Sequence, residues 1–116
     1  MMSLIESYFV VFLLLQLVHS IEEITNKFNK KFPLFRMRLS TFILFEILFF
    51  GFFLAVFLIS GFPAREQIMA FFNILMFANG SWHLVWWGIE KKYVPGLFTA
   101  PFFVILFLMF YFQVLF

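Results

Sequence analysis

Apolar and polar positions along the chain divide it into four long apolar stretches joined by short polar connections. A helix that crosses the hydrocarbon core of a bilayer needs about 20 mostly apolar residues. The stretches cover residues 4–25, 39–60, 68–89 and 97–116, so each is long enough. The pattern predicts an all-α protein, a bundle of four transmembrane helices that forms one integral membrane domain over residues 1–116.

Composition supports a membrane protein and excludes several other classes. Hydrophobic residues make up 65% of the chain and charged residues 12%, which does not suit the surface of a soluble domain this short. The absence of cysteine excludes disulfides, thiolate catalysis and zinc–thiolate sites. A net charge of +2 without a basic arm predicts no nucleic-acid partner. The lipid bilayer is the predicted partner.

The distribution of lysine and arginine predicts the orientation. Seven of the eight basic residues lie in the two connections that follow the first and third stretches: Lys27, Lys30, Lys31, Arg36, Arg38, Lys91 and Lys92. Loops rich in these residues face the cytoplasm, so both termini are predicted to be non-cytoplasmic in a multi-pass protein of the cell inner membrane. No basic residue precedes the first stretch and no small-residue cleavage site follows it, so we expect a retained span rather than a signal peptide.

One side of the first stretch is polar. Five residues fall within an arc of about 120° when each residue turns the helix by 100°: Gln16, His19, Glu22, Glu23 and Asn26. Lipid cannot satisfy such groups, so this side must face protein or water.

Ionisable residues on three stretches lie at one predicted depth. His19 and His83 each precede the end of their stretch by six residues, and Glu46 follows the start of its own by seven. At 1.5 Å per residue, all three lie roughly 9–10 Å inside the cytoplasmic boundary. The sequence therefore predicts a polar pocket within the bundle near the cytoplasmic face.

The residue types in this pocket are those of a metal site. His19, Glu22, Glu23 and His83 are candidate ligands for a divalent ion such as zinc, iron or manganese. A glutamate that does not bind the ion would act as general base, so Glu22 and Glu23 are both catalytic candidates. Four supporting candidates are Asn79, Glu46, Thr99 and Tyr93. The structural alternative is that these polar groups form interhelical hydrogen bonds without binding a ligand.

Three short motifs occur in a fixed order: "HSIEE" at 19–23, "NGSWH" at 79–83 and "YVPGLFT" at 93–99. With these motifs the chain resembles a family of small membrane proteins named for its HXXEE motif. The resemblance covers nearly the whole chain and implies an enzymatic role carried by the polar motifs. Glu46 is not part of the family signature.

These observations lead to one main hypothesis of function and two alternatives. The main hypothesis is a membrane-embedded, metal-dependent hydrolase that acts on a lipid or another membrane-embedded substrate. The alternatives are a small proton-coupled transporter that works as a homodimer and a non-catalytic subunit of a larger membrane complex. The oligomeric state stays open.

Overall fold

The computed structural model describes residues 2–116 and consists of five helices. They are α1 (Leu4–Thr25), α2 (Phe28–Lys31), α3 (Leu39–Leu58), α4 (Arg65–Glu90) and α5 (Ala100–Leu115). No strand occurs within residues 2–116. The predicted all-α fold is confirmed.

Three helices, α1, α3 and α4, are long enough and apolar enough to cross a membrane, which is typical of a membrane protein. The first predicted span coincides with α1. The fourth differs from its prediction, because residues 95–99 form turns and α5 starts only at Ala100. α5 is apolar but has 16 residues, or roughly 24 Å of helix against a hydrocarbon core of about 30 Å. The four-span count and the placement of the termini therefore stay predictions.

The core is aromatic and surrounds α4, which packs against α1, α3 and α5. Phe72 of α4 contacts Phe53 of α3 and Phe9 of α1, with ring centroids 4.4 and 5.0 Å apart. Van der Waals packing of this kind holds helices together in lipid, where apolar burial provides no driving force between them.

The end of the bundle opposite the basic loops is closed by Arg65. Its guanidinium lies 3.1 Å from the Glu6 carboxylate of α1 and donates to the carbonyls of Val56 and Phe57, at 2.9 and 2.8 Å. These carbonyls belong to the last turn of α3, where no intrahelical donor is available. Arg65 thus links the ends of α1, α3 and α4.

At the basic end, α4 and α5 approach each other closely at Gly80. A Cβ atom on Gly80 would lie 2.7 Å from the Ala100 carbonyl oxygen and 2.8 Å from Cβ of Phe103. Small residues permit such close helix packing in membranes. The contact brings the start of α5 beside α4, where it can reach the polar side chains of both α1 and α4.

Candidate metal centre

His19, Glu23 and His83 converge inside the basic end of the bundle. The exposed fractions of these residues are 0%, 5% and 1%. Glu23 Oε1 lies 3.4 Å from His19 Nε2, and Glu23 Oε2 lies 3.4 Å from His83 Nε2. The two imidazole rings meet edge to face, with centroids 4.7 Å apart. The convergence of the two histidines that the depth comparison predicts is confirmed.

Two helices and one turn build this group. His19 and Glu23 are four residues apart on α1, so their side chains share one side of the helix. His83 comes from α4, which packs along α1. Gly96 packs against both rings: a Cβ there would lie 2.6 Å from Cε1 of His83 and 2.7 Å from Cε1 of His19. With φ at +94°, Gly96 also adopts a conformation that other residues rarely take.

A hydrogen-bond chain sets the tautomer of His19. Its Nδ1 lies 2.5 Å from Thr99 Oγ1, and that hydroxyl donates to Glu22 Oε1 at 2.9 Å or to the Gly96 carbonyl at 3.2 Å. A hydroxyl has one hydrogen to donate, so with either acceptor it must accept the Nδ1–H of His19. His19 Nε2 then carries a lone pair, and it is buried with no hydrogen-bond partner. A metal-ligating histidine needs this arrangement.

Glu22 lies outside the three-residue group and holds the segment before α5. Its carboxylate accepts hydrogen bonds from the Tyr93 hydroxyl at 2.5 Å and from the backbone N–H groups of Phe98 and Thr99 at 2.9 and 3.1 Å. These N–H groups directly precede the first residue of α5, and a negative charge is favourable at this end of a helix. Partial burial and the Glu22 carboxylate raise the pKa of the Tyr93 phenol above its ordinary value of 10.0. The roles of Glu22 as ligand or base stay predictions.

Glu46 is bound to α1 rather than to the histidines. Its Oε2 accepts a hydrogen bond from the Ser20 hydroxyl at 2.7 Å and one from the Gln16 amide at 3.4 Å. Ser20 is one of the two residues that the HXXEE motif leaves unspecified, and its place beside His19 was the available sequence signal for it. Gln16 lies on the predicted polar side of α1, and its contact with Glu46 was not predicted.

A cavity of about 590 Å³ adjoins the candidate centre, within the range of roughly 300–1,000 Å³ typical of small-molecule sites. Glu23 and Glu46 lie on its wall, together with Asn79, which is partly buried. Most of the remaining lining is aromatic or aliphatic and comes from α2, α3, α4 and the connection before α3. The candidate centre is therefore next to a mostly apolar cavity.

Asn73 is a buried polar residue that was not among the candidates predicted from the sequence. It is fully buried in α4, and neither its amide nitrogen nor its amide oxygen has a hydrogen-bond partner. An amide inside an apolar stretch was the available signal. Asn73 precedes His83 by ten residues, about 15 Å along the helix, so it lies outside the His/Glu group.

Comparison with known proteins identifies the family. A family model described as "Protein of unknown function with HXXEE motif" matches residues 10–111, which is most of the chain. The chain belongs to this family. The HXXEE motif is His19, Glu22 and Glu23, and its two glutamates differ in their contacts: Glu23 faces both histidines, and Glu22 binds the segment before α5. No curated protein and no solved structure matches the chain.

Proposed function

We propose that the protein is a membrane-embedded, metal-dependent hydrolase acting on a lipid or another membrane-embedded substrate. His19, Glu23 and His83 would hold the ion. One observation carries this proposal: each oxygen of Glu23 lies 3.4 Å from a histidine nitrogen. Ligand atoms 2.0–2.1 Å from a tetrahedral ion are roughly 3.3–3.4 Å apart, whereas a charge-assisted hydrogen bond would be about 2.7–2.9 Å long.

The donor set supports the same proposal. Two imidazoles and one carboxylate suit zinc, iron or manganese. Three protein ligands leave a fourth position for water or substrate, as in catalytic zinc sites. The buried Nε2 atom of His19 has no other partner, and burying such an atom without one is unfavourable.

The surrounding residues suggest separate roles in hydrolysis. A bound ion would supply a water activated for attack at neutral pH. Glu46 lies on the same cavity wall as Glu23, and we assign it the role of proton acceptor. In such a hydrolysis Glu46 would accept the proton that the water loses and return it to the leaving oxygen of the cleaved bond. Glu22 acts through Thr99 as a positioning residue.

Metal content tests the first part of the proposal. The full chain is purified in detergent, loaded with zinc, iron or manganese, and analysed by elemental mass spectrometry. We expect one ion per chain, lost in His19→Ala, His83→Ala and Glu23→Gln. Glu90→Gln, an exposed carboxylate at the same end of α4, is the matched control and should keep the ion. Wild-type protein without stoichiometric metal would exclude a metalloenzyme.

Activity tests the second part. We expect release of product from extracted membrane lipids by the metal-loaded protein, and its loss in Glu46→Gln with the ion retained. Proton-coupled flux in liposomes by metal-free protein, abolished in Glu23→Gln, would instead favour the transporter hypothesis. Glu46→Gln with full hydrolytic activity would remove Glu46 from the mechanism.

We also propose a four-span topology in the inner membrane, with α5 as the fourth span and both termini outside the cytoplasm. The apolar sequence of α5 and the concentration of basic residues at one end of the bundle support it. The chain has no cysteine, so a single cysteine substitution reports whether its position is accessible to a thiol reagent from one side of the membrane. Cysteines replacing Ser60 and Phe116 should react from outside the cell, and one replacing Ser40 only from the cytoplasm. The opposite pattern would reverse the orientation.

A further inference from the structure

A second cavity, of about 510 Å³, lies at the basic end of the bundle. Its wall carries four cationic side chains and one carboxylate, a net charge of +3: Lys30, Lys31, Arg36, Lys92 and Glu90. Within the part of the chain that the structure describes, none of the four cations forms an ion pair. A concave wall with unpaired positive charge favours an anionic ligand.

The basic cavity adjoins the apolar one. Phe32 and Phe35 line both, so these two side chains form a shared boundary. Glu23 and Glu46 are on the apolar side of that boundary, and the cations are on the other. A ligand that fills both cavities must therefore be an amphiphile with an anionic head and an apolar tail.

His83 of the candidate metal centre lies behind residues that line the two cavities. The His83 ring is 6.0 Å from Phe28, which lines the apolar cavity, and 5.9 Å from Trp86, which lines the basic one. Glu23, which faces His83, is itself on the apolar wall. A ligand that bridges the two cavities would therefore lie along the wall that carries Glu23, the residue that faces His83.

We propose that the substrate is a phosphate-bearing lipid, with its phosphate among the four cations and its apolar chain in the aromatic cavity. This inference rests on the proposed hydrolase for the reaction, but not for the binding. A phosphate carries up to two negative charges and several acceptor oxygens, so it can engage several cations at once. A single carboxylate would leave most of this charge unpaired. Diacylglycerol phosphates and prenyl phosphates share this chemistry.

Photo-cross-linking in micelles of a phosphate-free detergent tests the proposal on the full chain. Three probes carry a diazirine in the apolar chain: a phosphatidic acid, farnesyl phosphate, and a diacylglycerol that lacks the phosphate. We expect saturable labelling of residues that line the apolar cavity, such as Phe45 and Leu75, by at least one phosphate probe and not by diacylglycerol. The phosphate probe that gives saturable labelling shows whether the ligand is a diacylglycerol phosphate or a prenyl phosphate.

Matched variants separate a built site from general attraction to basic loops. Arg36→Gln should weaken labelling about fivefold, the effect of one lost cation near a membrane surface. Arg38→Gln removes the same charge from the same connection but does not line the cavity, and should change it less than twofold. Ala78→Trp should block the apolar cavity, and Ile74→Trp, one turn earlier on exposed α4 surface, should not.

Three outcomes would overturn the inference: equal labelling by diacylglycerol, equal effects of the two arginine variants, or no saturable labelling by either phosphate lipid. The arginine pair carries the test alone if Ala78→Trp does not fold. Labelling is measured with and without chelator. The metal-dependent hydrolase and the phosphate-lipid substrate can therefore be contradicted independently of each other. Saturable phosphate-lipid labelling of a protein that takes up no stoichiometric metal contradicts the hydrolase only, and metal-loaded protein without saturable labelling contradicts the substrate class only.

Discussion

The Nδ1 atom of His19 and the Oγ1 atom of Thr99 are 2.5 Å apart, although 80 residues separate them in the chain. The same hydroxyl reaches Glu22 Oε1, so one threonine connects the first and last residues of the HXXE portion of the motif. This contact orients the His19 ring and leaves its Nε2 free toward Glu23. Thr99 is thus the point at which the segment before α5 acts on the candidate metal centre.

Thr99→Val should weaken metal binding without unfolding the protein. Valine keeps the shape of threonine but removes the acceptor for the His19 Nδ1–H, and loss of such a supporting hydrogen bond costs about 10–100-fold in metal affinity. Competition with a chelator measures the change. Thr25→Val is the control, because the Thr25 hydroxyl donates to carbonyls of its own helix, accepts from the neighbouring Asn26 amide and contacts neither histidine. Equal affinities for Thr99→Val and wild type would contradict the role assigned to Thr99.

Glu22→Gln should lower the pKa of the Tyr93 phenol toward its ordinary value, because the negative charge that favours the protonated phenol is removed. Absorbance of tyrosinate during a pH titration measures the shift, and Tyr93→Phe identifies the signal of Tyr93 among the three tyrosines. Glu90→Gln should leave it unchanged.

The raised Tyr93 pKa also predicts how the wild-type protein responds to alkaline pH. Above pH 10 the unfolded chain releases the Tyr93 proton and the folded chain keeps it, so the free energy of unfolding should fall as the pH rises. This loss should be smaller in Tyr93→Phe. An identical alkaline slope in both proteins would show that Tyr93 does not contribute.

Gly96→Ala should disturb the candidate centre directly. The new methyl group would lie within 2.8 Å of both imidazole rings, and φ at +94° is unfavourable for alanine. We expect destabilisation of about 1–3 kcal/mol and loss of stoichiometric metal. Thermal unfolding in detergent and metal content are the measurements. Gly51→Ala, which has no neighbouring atom within 4 Å, should be neutral or slightly stabilising.

Gly80→Ala should separate α4 from α5. Its methyl group would meet the Ala100 carbonyl at 2.7 Å, a backbone atom that cannot move aside cheaply, so we expect a cost of about 1–3 kcal/mol. Gly88→Ala on the same helix meets no atom within 4 Å and is the matched control. If both variants unfold at the same temperature, the close approach of α4 and α5 does not contribute to stability.

Much of the candidate site could be predicted because helical geometry is local. The 100° rotation per residue puts His19 and Glu23 on one side of α1, and counting residues from the end of each apolar stretch places His83 at the same depth. Both relations need only the spacing along one helix. The boundaries of α1 follow from the extent of the apolar stretch, and α1 spans the predicted residues.

The same local argument could not separate Glu22 from Glu23. Both lie on the polar side of α1, one at three and the other at four residues from His19, and either spacing allows a shared ion. What distinguishes them is the partner that each one meets. Glu23 faces His83 of α4, and Glu22 faces Tyr93 and Thr99.

The sequence by itself determined the apolar helices, the polar side of α1 and the common depth of the two histidines. Only the tertiary structure decided that Gly96 packs against both rings, that Glu46 binds Ser20, and that an apolar and a basic cavity share Phe32 and Phe35. The physical reason is that periodicity fixes the direction of a side chain relative to its own helix. Its contacts depend on how distant helices and turns pack, and no single stretch of the chain encodes that packing.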